Sequence, residues 1–565
     1  MMLGVGKRTL AGLLVGTVAL AACKSDDPAA PSNNPPTGVT ATSLGATSVH
    51  LAWTAAASVT GYILERAEGS TGGSYVEVNR PAATATSYDD TGLNPATVYR
   101  YRLAAVRTAG TSPFATEVLV TTSAPAVVNI TADITTNTTW TSTSVYKIVG
   151  FRKVANNSTL TIEAGTRIIG DFATVGSSLF VLRGSRIIAN GTATAPIVFT
   201  SAQAEGAQLP GDWGGLIIIG NGIINRSGTV NIEGTGTSTE NPLIPYSGGN
   251  NNADNSGTLR YVRVEWAGFA PATDAELNSF TFAAVGSGTT LDFLQAVNGF
   301  DDAFEFFGGA VDAKHLVSYE TGDDHFDMSE GYVGRLQYLI GFQSYIQNNR
   351  PGVGGVSSDP QGIENDGCNG SGCDLAFNST PFTVPVVANF TLVGPGAAGP
   401  AGGGFGMVLR RGTAGHYVNG IWARYLNAGI GYRDADTKAR ETAGILTIRN
   451  NLIAQTPLAL QAGQQAYDIG ANAVILEQAT TAASLFTKLP TTVRASPGVA
   501  GTTAADFDWS LSAASPARTG GLATFTGDLL TRAGAFVAGT AYRGAADPAA
   551  AKWWEGWTYY LRNQL

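Results

Sequence analysis

The chain has 565 residues, which is enough for more than one domain and a large buried core. Only 14% of the residues are charged and 71 are glycines, a composition typical of a turn-rich, β-rich secreted protein and not of a helical cytosolic enzyme. The net charge is −9 and lysines and arginines form no cluster, so the sequence predicts that nucleic acid is not a partner.

The first residues carry the pattern of an export signal. Lys7 and Arg8 precede an apolar run, residues 10–20, that is too short for a permanent membrane span. The run ends in Leu-Ala-Ala-Cys23, which resembles the lipobox of bacterial lipoproteins. That resemblance implies that residues 1–23 are a signal peptide and lipobox, and that the membrane is bound through lipid on Cys23. Lys24 favours the outer membrane or cell surface, and the alternative is an ordinary signal peptide.

A flexible tether and a small sandwich domain are predicted next. Prolines and small polar residues fill positions 24–36, which predicts an extended tether without regular structure. Residues 37–124 alternate in polarity as short strands do. This segment resembles a fibronectin type III domain. The resemblance implies a core around Trp53 and Tyr62 and a corner at which the Tyr99 hydroxyl bonds nearby backbone.

Internal repeats dominate the sequence from residue 125 onwards. Segment 158–169 repeats as 177–188 at an offset of 19, which predicts that Leu160 lies over Leu179 in stacked coils. Leucines recur 22 and 23 residues apart, and asparagines at strand ends recur 30 and 31 apart, where Asn tolerates a left-handed corner. Short β runs repeated in this way predict a solenoid with a shared core. The leucines are Leu294, Leu316 and Leu339, and the asparagines are Asn389, Asn419 and Asn450.

Two phrases in this region carry a closer resemblance. Residues 196–200 (Pro-Ile-Val-Phe-Thr) and 211–220 (Gly-Asp-Trp-Gly-Gly-Leu-Ile-Ile-Ile-Gly) are similar to those of secreted bacterial β-helix proteins of the pectin-lyase-like group. The resemblance implies a right-handed parallel β-helix over residues 125–565, so the predicted fold class is all-β. The aromatic segment 552–560 is predicted to cap the solenoid, and the alternative is an exposed platform that stacks on sugar rings.

An acidic ladder is the candidate site. Asp301-Asp302-Ala-Phe-Glu305 recurs as Asp323-Asp324-His-Phe-Asp327 after 22 residues, about one coil. Parallel register places equivalent residues about 4.8 Å apart, and carboxylates that close repel unless a group neutralises them. Calcium accepts about six to eight oxygens in flexible geometry, so the ladder predicts a calcium site. The predicted ligands are Asp301, Asp302, Glu305, Asp323, Asp324, Asp327, Glu364 and Asp366.

The same coils are compatible with two other interpretations. In polysaccharide lyase or glycoside hydrolase chemistry, the candidate catalytic residues are Asp301, Asp302, Asp323, Asp324 and Arg411, with Arg410 or Lys314 holding an acidic sugar. The catalytic motifs of polygalacturonases are absent from the sequence, and resemblance of fold alone does not confer activity. In the third interpretation the aspartates only bond to backbone amides of turns.

The two remaining cysteines lie in the short loop Cys368-Asn-Gly-Ser-Gly-Cys373, which predicts a local disulfide in an oxidising compartment. Taken together, the sequence predicts a lipid-anchored surface protein that binds extracellular polysaccharide or another surface, with calcium as the expected cofactor. The alternatives are a polysaccharide-cleaving enzyme and a structural component of the envelope.

Overall fold

The structure is a computed structural model that describes residues 33–270, 276–345, 347, 352, 354–398, 402–490 and 504–560. The predicted signal peptide, Cys23 and most of the tether lie outside these residues. The chain divides into two compact units, residues 1–124 and 125–565. Among the described residues, no helix is long and apolar enough to cross a membrane.

The first unit is a sandwich of two antiparallel sheets. Its core contains Trp53, Tyr62 and Tyr101, all at most 5% exposed. The Tyr99 hydroxyl accepts a hydrogen bond from the Asn94 N–H at 2.9 Å, so the predicted corner is confirmed. The sheets have the orders β1-β2-β5 and β4-β3-β6-β7, with β8 beside β6. The strands are β1 (Thr40–Ser43), β2 (Ser48–Ala52), β3 (Gly61–Glu68), β4 (Val76–Asn79), β5 (Ser87–Thr91), β6 (Val98–Arg107), β7 (Gly110–Thr111) and β8 (Val118–Thr121).

The second unit is a parallel β-helix. Its strands from β9 to β34 pair in parallel along two long sheets, one of 17 strands and one of nine. The strands are β9 (Ala126–Ile130), β10 (Thr138–Trp140), β11 (Ser144–Ile148), β12 (Phe151–Val154), β13 (Thr159–Ile162), β14 (Arg167–Gly170), β15 (Ser178–Val181), β16 (Arg186–Asn190), β17 (Ile197–Ser201), β18 (Gly215–Ile219), β19 (Gly257–Glu265), β20 (Phe280–Ala283), β21 (Thr290–Val297), β22 (Phe304–Phe307), β23 (Asp312–Tyr319), β24 (Phe326–Ser329), β25 (Arg335–Phe342), β26 (Ile363–Asp366), β27 (Val386–Val393), β28 (Phe405–Arg410), β29 (Gly415–Val418), β30 (Ile421–Ala423), β31 (Ala428–Tyr432), β32 (Leu446–Arg449), β33 (Leu452–Ala454) and β34 (Ile475–Glu477).

Short helices and one antiparallel pair of strands follow or interrupt the coils. The strands of that pair are β35 (Phe486–Lys488) and β36 (Asp508–Leu511). The α-helices are α1 (Ala435–Thr442), α2 (Ala482–Leu485) and α3 (Gly527–Ala533), and the 3-10 helices are Ala376–Asn378, Gly396–Ala398, Ala504–Asp506 and Pro516–Arg518.

The core of the β-helix is built from columns of equivalent side chains. Leu294 pairs with Leu316 and Leu316 with Leu339, so the predicted leucine column is confirmed. The ring of Phe304 stacks on Phe280 below and Phe326 above, with centroids 5.0 and 5.4 Å apart. Each coil therefore completes its core only against its neighbours.

The predicted stacking of Leu160 on Leu179 is wrong. Leu160 pairs with Ile187, 27 residues later, whereas Leu179 pairs with Leu216 in the nine-stranded sheet. The 19-residue similarity relates two successive strand–turn–strand units of the winding chain, because a full coil at this point takes more residues than that offset.

The C-terminal aromatic segment lies on the flank of the middle coils and does not cap the last one. The ring of Trp557 packs edge-on against Tyr261 and Phe293, and the Gln295 side chain donates to the Tyr559 carbonyl. The outward corners of β19, β21 and β23 carry aromatic rings, and the segment removes that apolar surface from water. It is also no exposed platform, since Trp554, Trp557 and Tyr560 are at most 3% exposed.

Left-handed asparagines form the predicted corner column. Asn389, Asn419 and Asn450 have φ of 54°, 59° and 56°, and each comes directly after a residue that pairs in register with its equivalent on the neighbouring coil. They do not bond to one another in a ladder. The Asn419 side-chain amide instead bonds residues near the C-terminus: it accepts a hydrogen bond from the Leu522 N–H at 2.6 Å and donates one to the Thr540 hydroxyl at 3.2 Å. The corner thus ties the end of the chain to the coils.

This corner gives a test of the fold. Asn419→Ala keeps neither the amide bonds nor the tolerance for a left-handed backbone, so we expect it to lower the free energy of unfolding by about 2–4 kcal/mol. Asn419→Gly loses only the bonds and is expected to cost about 1 kcal/mol less than Ala. Urea denaturation measures both variants. Equal losses for Ala and Gly would contradict a left-handed requirement at this corner.

Candidate functional site

An acidic row runs across the outer face of three neighbouring strands of the nine-stranded sheet. Glu305 on β22 pairs with Asp327 on β24, and Asp327 pairs with Glu364 on β26. Residues alternate along each strand, so Phe304 and Phe326 enter the core while the acids face outward. The 22-residue repeat is thereby one coil, as the sequence predicts, and like charges lie at strand spacing.

The turn before each strand holds a second acidic position. The Asp302 carboxylate accepts a hydrogen bond from the Asp324 N–H at 2.7 Å, and the Asp324 carboxylate accepts one from the Gln361 N–H. The Gln361 side chain continues the pattern by accepting from the Phe405 N–H at 3.1 Å. One function of these two aspartates is therefore to bond the backbone of the next coil, as the third sequence interpretation expected.

The two acidic positions combine into overlapping groups of three carboxylates. In each group, one oxygen from every residue lies within 4.8 Å of the others. The first and second groups share Asp302, and the second and third share Asp327. The first group is Asp301, Asp302 and Asp323, the second is Asp302, Glu305 and Asp327, and the third is Asp324, Asp327 and Glu364.

Two carboxylate oxygens in these groups are buried without a protein partner. Asp323 Oδ1 and Asp327 Oδ1 are shielded from solvent and make no hydrogen bond within the described part of the chain. The Oδ1 atom of Asn278, whose side-chain NH2 group donates to Glu305, is also buried without a hydrogen-bond partner among the described residues. A buried oxygen left unpaired is costly, so this arrangement favours a positively charged ligand beside it.

The acidic row forms the floor of a cleft of about 1000 Å³. Asp301, Asp323 and Arg411 all line it, as the enzyme interpretation expected, whereas Asp324 is not among the lining residues. Lys314 lies elsewhere, 4.6 Å from the ring centre of Phe536, which corrects its predicted role in holding a sugar. Acidic lining side chains outnumber basic ones: the former are Glu233, Glu276, Asp301, Asp302, Glu305, Asp323, Asp327, Glu330, Asp359, Glu364 and Asp366, and the latter are Arg226, Arg410 and Arg411.

The arginines of the cleft are engaged with carboxylates. Arg410 donates to Glu364 and, at 2.8 Å, to Asp366, and Arg411 donates to Asp366. Asp366, which the sequence predicts as a metal ligand, belongs to none of the three groups. These pairs neutralise one end of the acidic row.

A second wall of the cleft is formed by residues that the sequence did not predict. Arg226 pairs with Glu330, and the Tyr246 hydroxyl donates to the same carboxylate. The partners are 104 and 84 residues apart in sequence, and no repeat relates them. The Arg226 guanidinium also donates to the Ser371 carbonyl at 2.9 Å, inside the loop closed by the predicted disulfide, Cys368–Cys373. That disulfide is confirmed and lies at the edge of the cleft.

Burial and mutual repulsion raise the pKa values of the acidic row. Burial is the larger cause, and the neighbouring carboxylates add to it. The pKa of Asp323 rises to about 7. The pKa values of Asp301, Asp302, Glu305, Asp324, Asp327 and Glu364 are raised well above their ordinary range. A bound cation opposes this shift, because it stabilises the ionised form.

Comparison with known proteins assigns the family. A family model for a pectate-lyase like beta helix domain matches residues 132–496, and a fibronectin type III model matches residues 34–121. The first match covers more than half of the chain, so the protein belongs to the pectate-lyase-like β-helix family and carries a fibronectin type III domain before the β-helix. The resemblances to a fibronectin type III domain and to a pectin-lyase-like β-helix are confirmed.

Solved structures and curated proteins add little to this assignment. Three similar structures are the FN1-FN3 domains of chicken CNTN1 (22% identity over 16% of this chain and 31% of that chain, TM-score 0.14), the FN5 domain of Drosophila Lar (25% over 16% and 96%, TM-score 0.15) and the fn3 domain of human collagen alpha-1(XX) chain (25% over 17% and 94%, TM-score 0.16). No curated protein matches the chain. The two family models therefore carry the assignment.

The raised pKa values predict how stability depends on pH when divalent cations are removed. Acids ionise in the unfolded chain with pKa values of about 4, so the folded chain holds more protons between that pH and the raised values. Unfolding then releases protons, and stability falls as pH rises from about 5 to 8. In chelator, we expect the melting temperature to be lower at pH 8 than at pH 5, and Asp323→Asn to reduce the difference. A melting temperature that rises over this interval would contradict the account.

Proposed function

We propose that this protein is an exported lipoprotein, anchored through lipid on Cys23 to the outer membrane or cell surface, whose β-helix binds extracellular polysaccharide through calcium held in the acidic cleft. The lipobox-like sequence before Cys23 and the Lys24 that follows it support the anchor and its location. The observation that carries the binding function is the set of overlapping carboxylate groups with unpaired buried oxygens.

The chemistry of the ligands favours calcium over other common cations. Every ligand in the first two groups is a carboxylate oxygen, which suits a hard cation. Zinc prefers histidine and cysteine, and neither residue type is among the described residues that line the cleft. Magnesium demands near-ideal octahedral geometry, whereas three carboxylates on stacked coils match the variable coordination of calcium.

Polysaccharide is the ligand that the size and polarity of the cleft favour. Its volume of about 1000 Å³ is at the upper end of small-molecule sites and accommodates several sugar rings. Calcium bound to three carboxylates keeps coordination positions for oxygens of a ligand. A chain of sugars presents such oxygens repeatedly, and the cation offsets the negative potential that repels acidic sugars. A surface protein that offers carbonyl and carboxylate oxygens is the alternative partner.

Cleavage of the polysaccharide is a second candidate function. Asp301, Asp302, Asp323 and Arg411 meet in the one cleft, and carboxylates this close suit the acid and nucleophile of a retaining hydrolase. Two contacts weigh against this function: Arg411 donates to Asp366, and Asp324 bonds the Gln361 backbone. Binding without cleavage therefore has the better support.

Calcium and polysaccharide titrations of the full-length protein test the proposal. Asp327→Asn keeps the size of the side chain but removes the charge shared by two groups, so calcium affinity should fall by at least about tenfold. Asp468→Asn, at an exposed loop position, is the matched control and should bind as the wild type does. Calorimetry measures both calcium and a panel of neutral and acidic polysaccharides, with and without chelator.

Each outcome separates the candidate functions. Binding of a polysaccharide that is lost in chelator and in Asp327→Asn supports the proposal. Release of unsaturated or new reducing sugar ends, abolished by Asp323→Asn, would instead assign cleavage. Calcium binding without any bound polysaccharide would contradict the proposed ligand, and no calcium binding at millimolar concentration would contradict the proposed site.

A further inference from the structure

The two ends of the acidic row differ in how their charge is balanced. At the Glu364 end, the Arg410 side chain on β28 donates to Glu364 and Asp366 on β26, its neighbour in the nine-stranded sheet. Its Nη1 atom also lies 3.9 Å from an oxygen of Asp359. At the other end, none of the five acids of the first two groups forms an ion pair with a described lysine or arginine.

Arg410 brings its positive charge to one residue of the third carboxylate group. Its guanidinium contacts Glu364, one of the three residues whose oxygens converge there. The other two members, Asp324 and Asp327, lie within 4.8 Å of that carboxylate. A cation bound at this group and the guanidinium would repel each other at close range, and they would compete for Glu364.

We propose that Arg410 is a built-in counter-cation that keeps the third carboxylate group closed to calcium and so limits the number of ions that the row binds. The Asp327 Oδ1 atom is the second observation. It is buried without a hydrogen-bond partner among the described residues, and Asp327 belongs to both the second and the third group, so the row keeps an oxygen that Arg410 does not satisfy. Removing the charge of Arg410 opens an additional site at Asp324, Asp327 and Glu364. This inference rests on the proposed calcium binding at the adjacent groups.

The neighbouring arginine provides a matched control. Arg411 donates to Asp366, which belongs to none of the three groups. Loss of its charge changes the net charge of the cleft by the same amount as loss of Arg410. A general electrostatic effect would therefore act in both variants, whereas release of Glu364 occurs only when Arg410 is changed.

The number of calcium ions bound per chain at saturation is the measurement, made by equilibrium dialysis and elemental analysis of the full-length protein. We expect Arg410→Gln to bind one ion more than the wild type. Arg411→Gln and the charge-conserving Arg410→Lys should bind the wild-type number. The double variant Arg410→Gln with Glu364→Gln should return to the wild-type number, because the opened site loses a ligand.

A second measurement leaves Arg410 in place and covers the case in which its variants do not fold. Glu364 holds no calcium in the wild type under this proposal, so Glu364→Gln should leave the number of bound ions unchanged, while Asp327→Asn lowers it. An unchanged number in a folded Arg410→Gln, or a lost ion in Glu364→Gln, would overturn the inference. If the wild type binds no calcium but Arg410→Gln binds one ion, the inference holds and the proposed function fails.

Discussion

Parallel, in-register stacking of coils is the constraint on which the rest of this structure depends. A coil presents an apolar strip that it cannot cover by itself, and the stacked rings of Phe280, Phe304 and Phe326 show how neighbours complete it. The same register that aligns these rings inside aligns Glu305 with Asp327 outside. The favourable stack of aromatic rings and the unfavourable row of carboxylates are therefore consequences of the same register. With this sequence, the coils cannot form the first without the second.

The repulsion between the carboxylates of the acidic row is reduced by different groups along its length. Two unit charges about 4 Å apart repel by about 4 kcal/mol at the effective dielectric of a protein surface. Backbone amides bind Asp302 and Asp324, and Arg410 binds Glu364. Protonation is the remaining possibility for the other acids of the row when no cation is present, because burial and the neighbouring carboxylates raise their pKa values. The proposed calcium replaces those protons.

Part of this site could be read from the sequence because it follows the coil repeat. The recurrence of Asp-Asp-x-Phe-Glu/Asp after 22 residues predicted both the core positions of Phe304 and Phe326 and the alignment of Glu305 with Asp327 on the outer face of the sheet. The offset of 19 was misleading because a similar strand–turn–strand pattern recurs within the winding of one coil. Local similarity identifies strands, but only pairing partners identify the length of a coil.

The remainder depends on contacts between segments that no repeat relates. Arg226 and Glu330 meet because an insertion after β18 folds back over the sheet, and nothing in either local sequence indicates the other. The C-terminal aromatics were expected at an end of the solenoid, since terminal coils need covering. They lie instead over the aromatic corners of middle coils, where Trp557 meets Tyr261 and Phe293. Burial of apolar surface is favourable wherever that surface is exposed, so the order of segments along the chain does not specify where the C-terminal aromatic residues pack.

The most direct test of the central claim is an anomalous difference map from crystals of the full-length protein grown with calcium. The account predicts a peak on the outer face of β22 and β24, at about 2.3–2.6 Å from carboxylate oxygens of Asp302, Glu305 and Asp327. A well-ordered row with no peak, in which those three carboxylates bond only to protein groups and water, would contradict it.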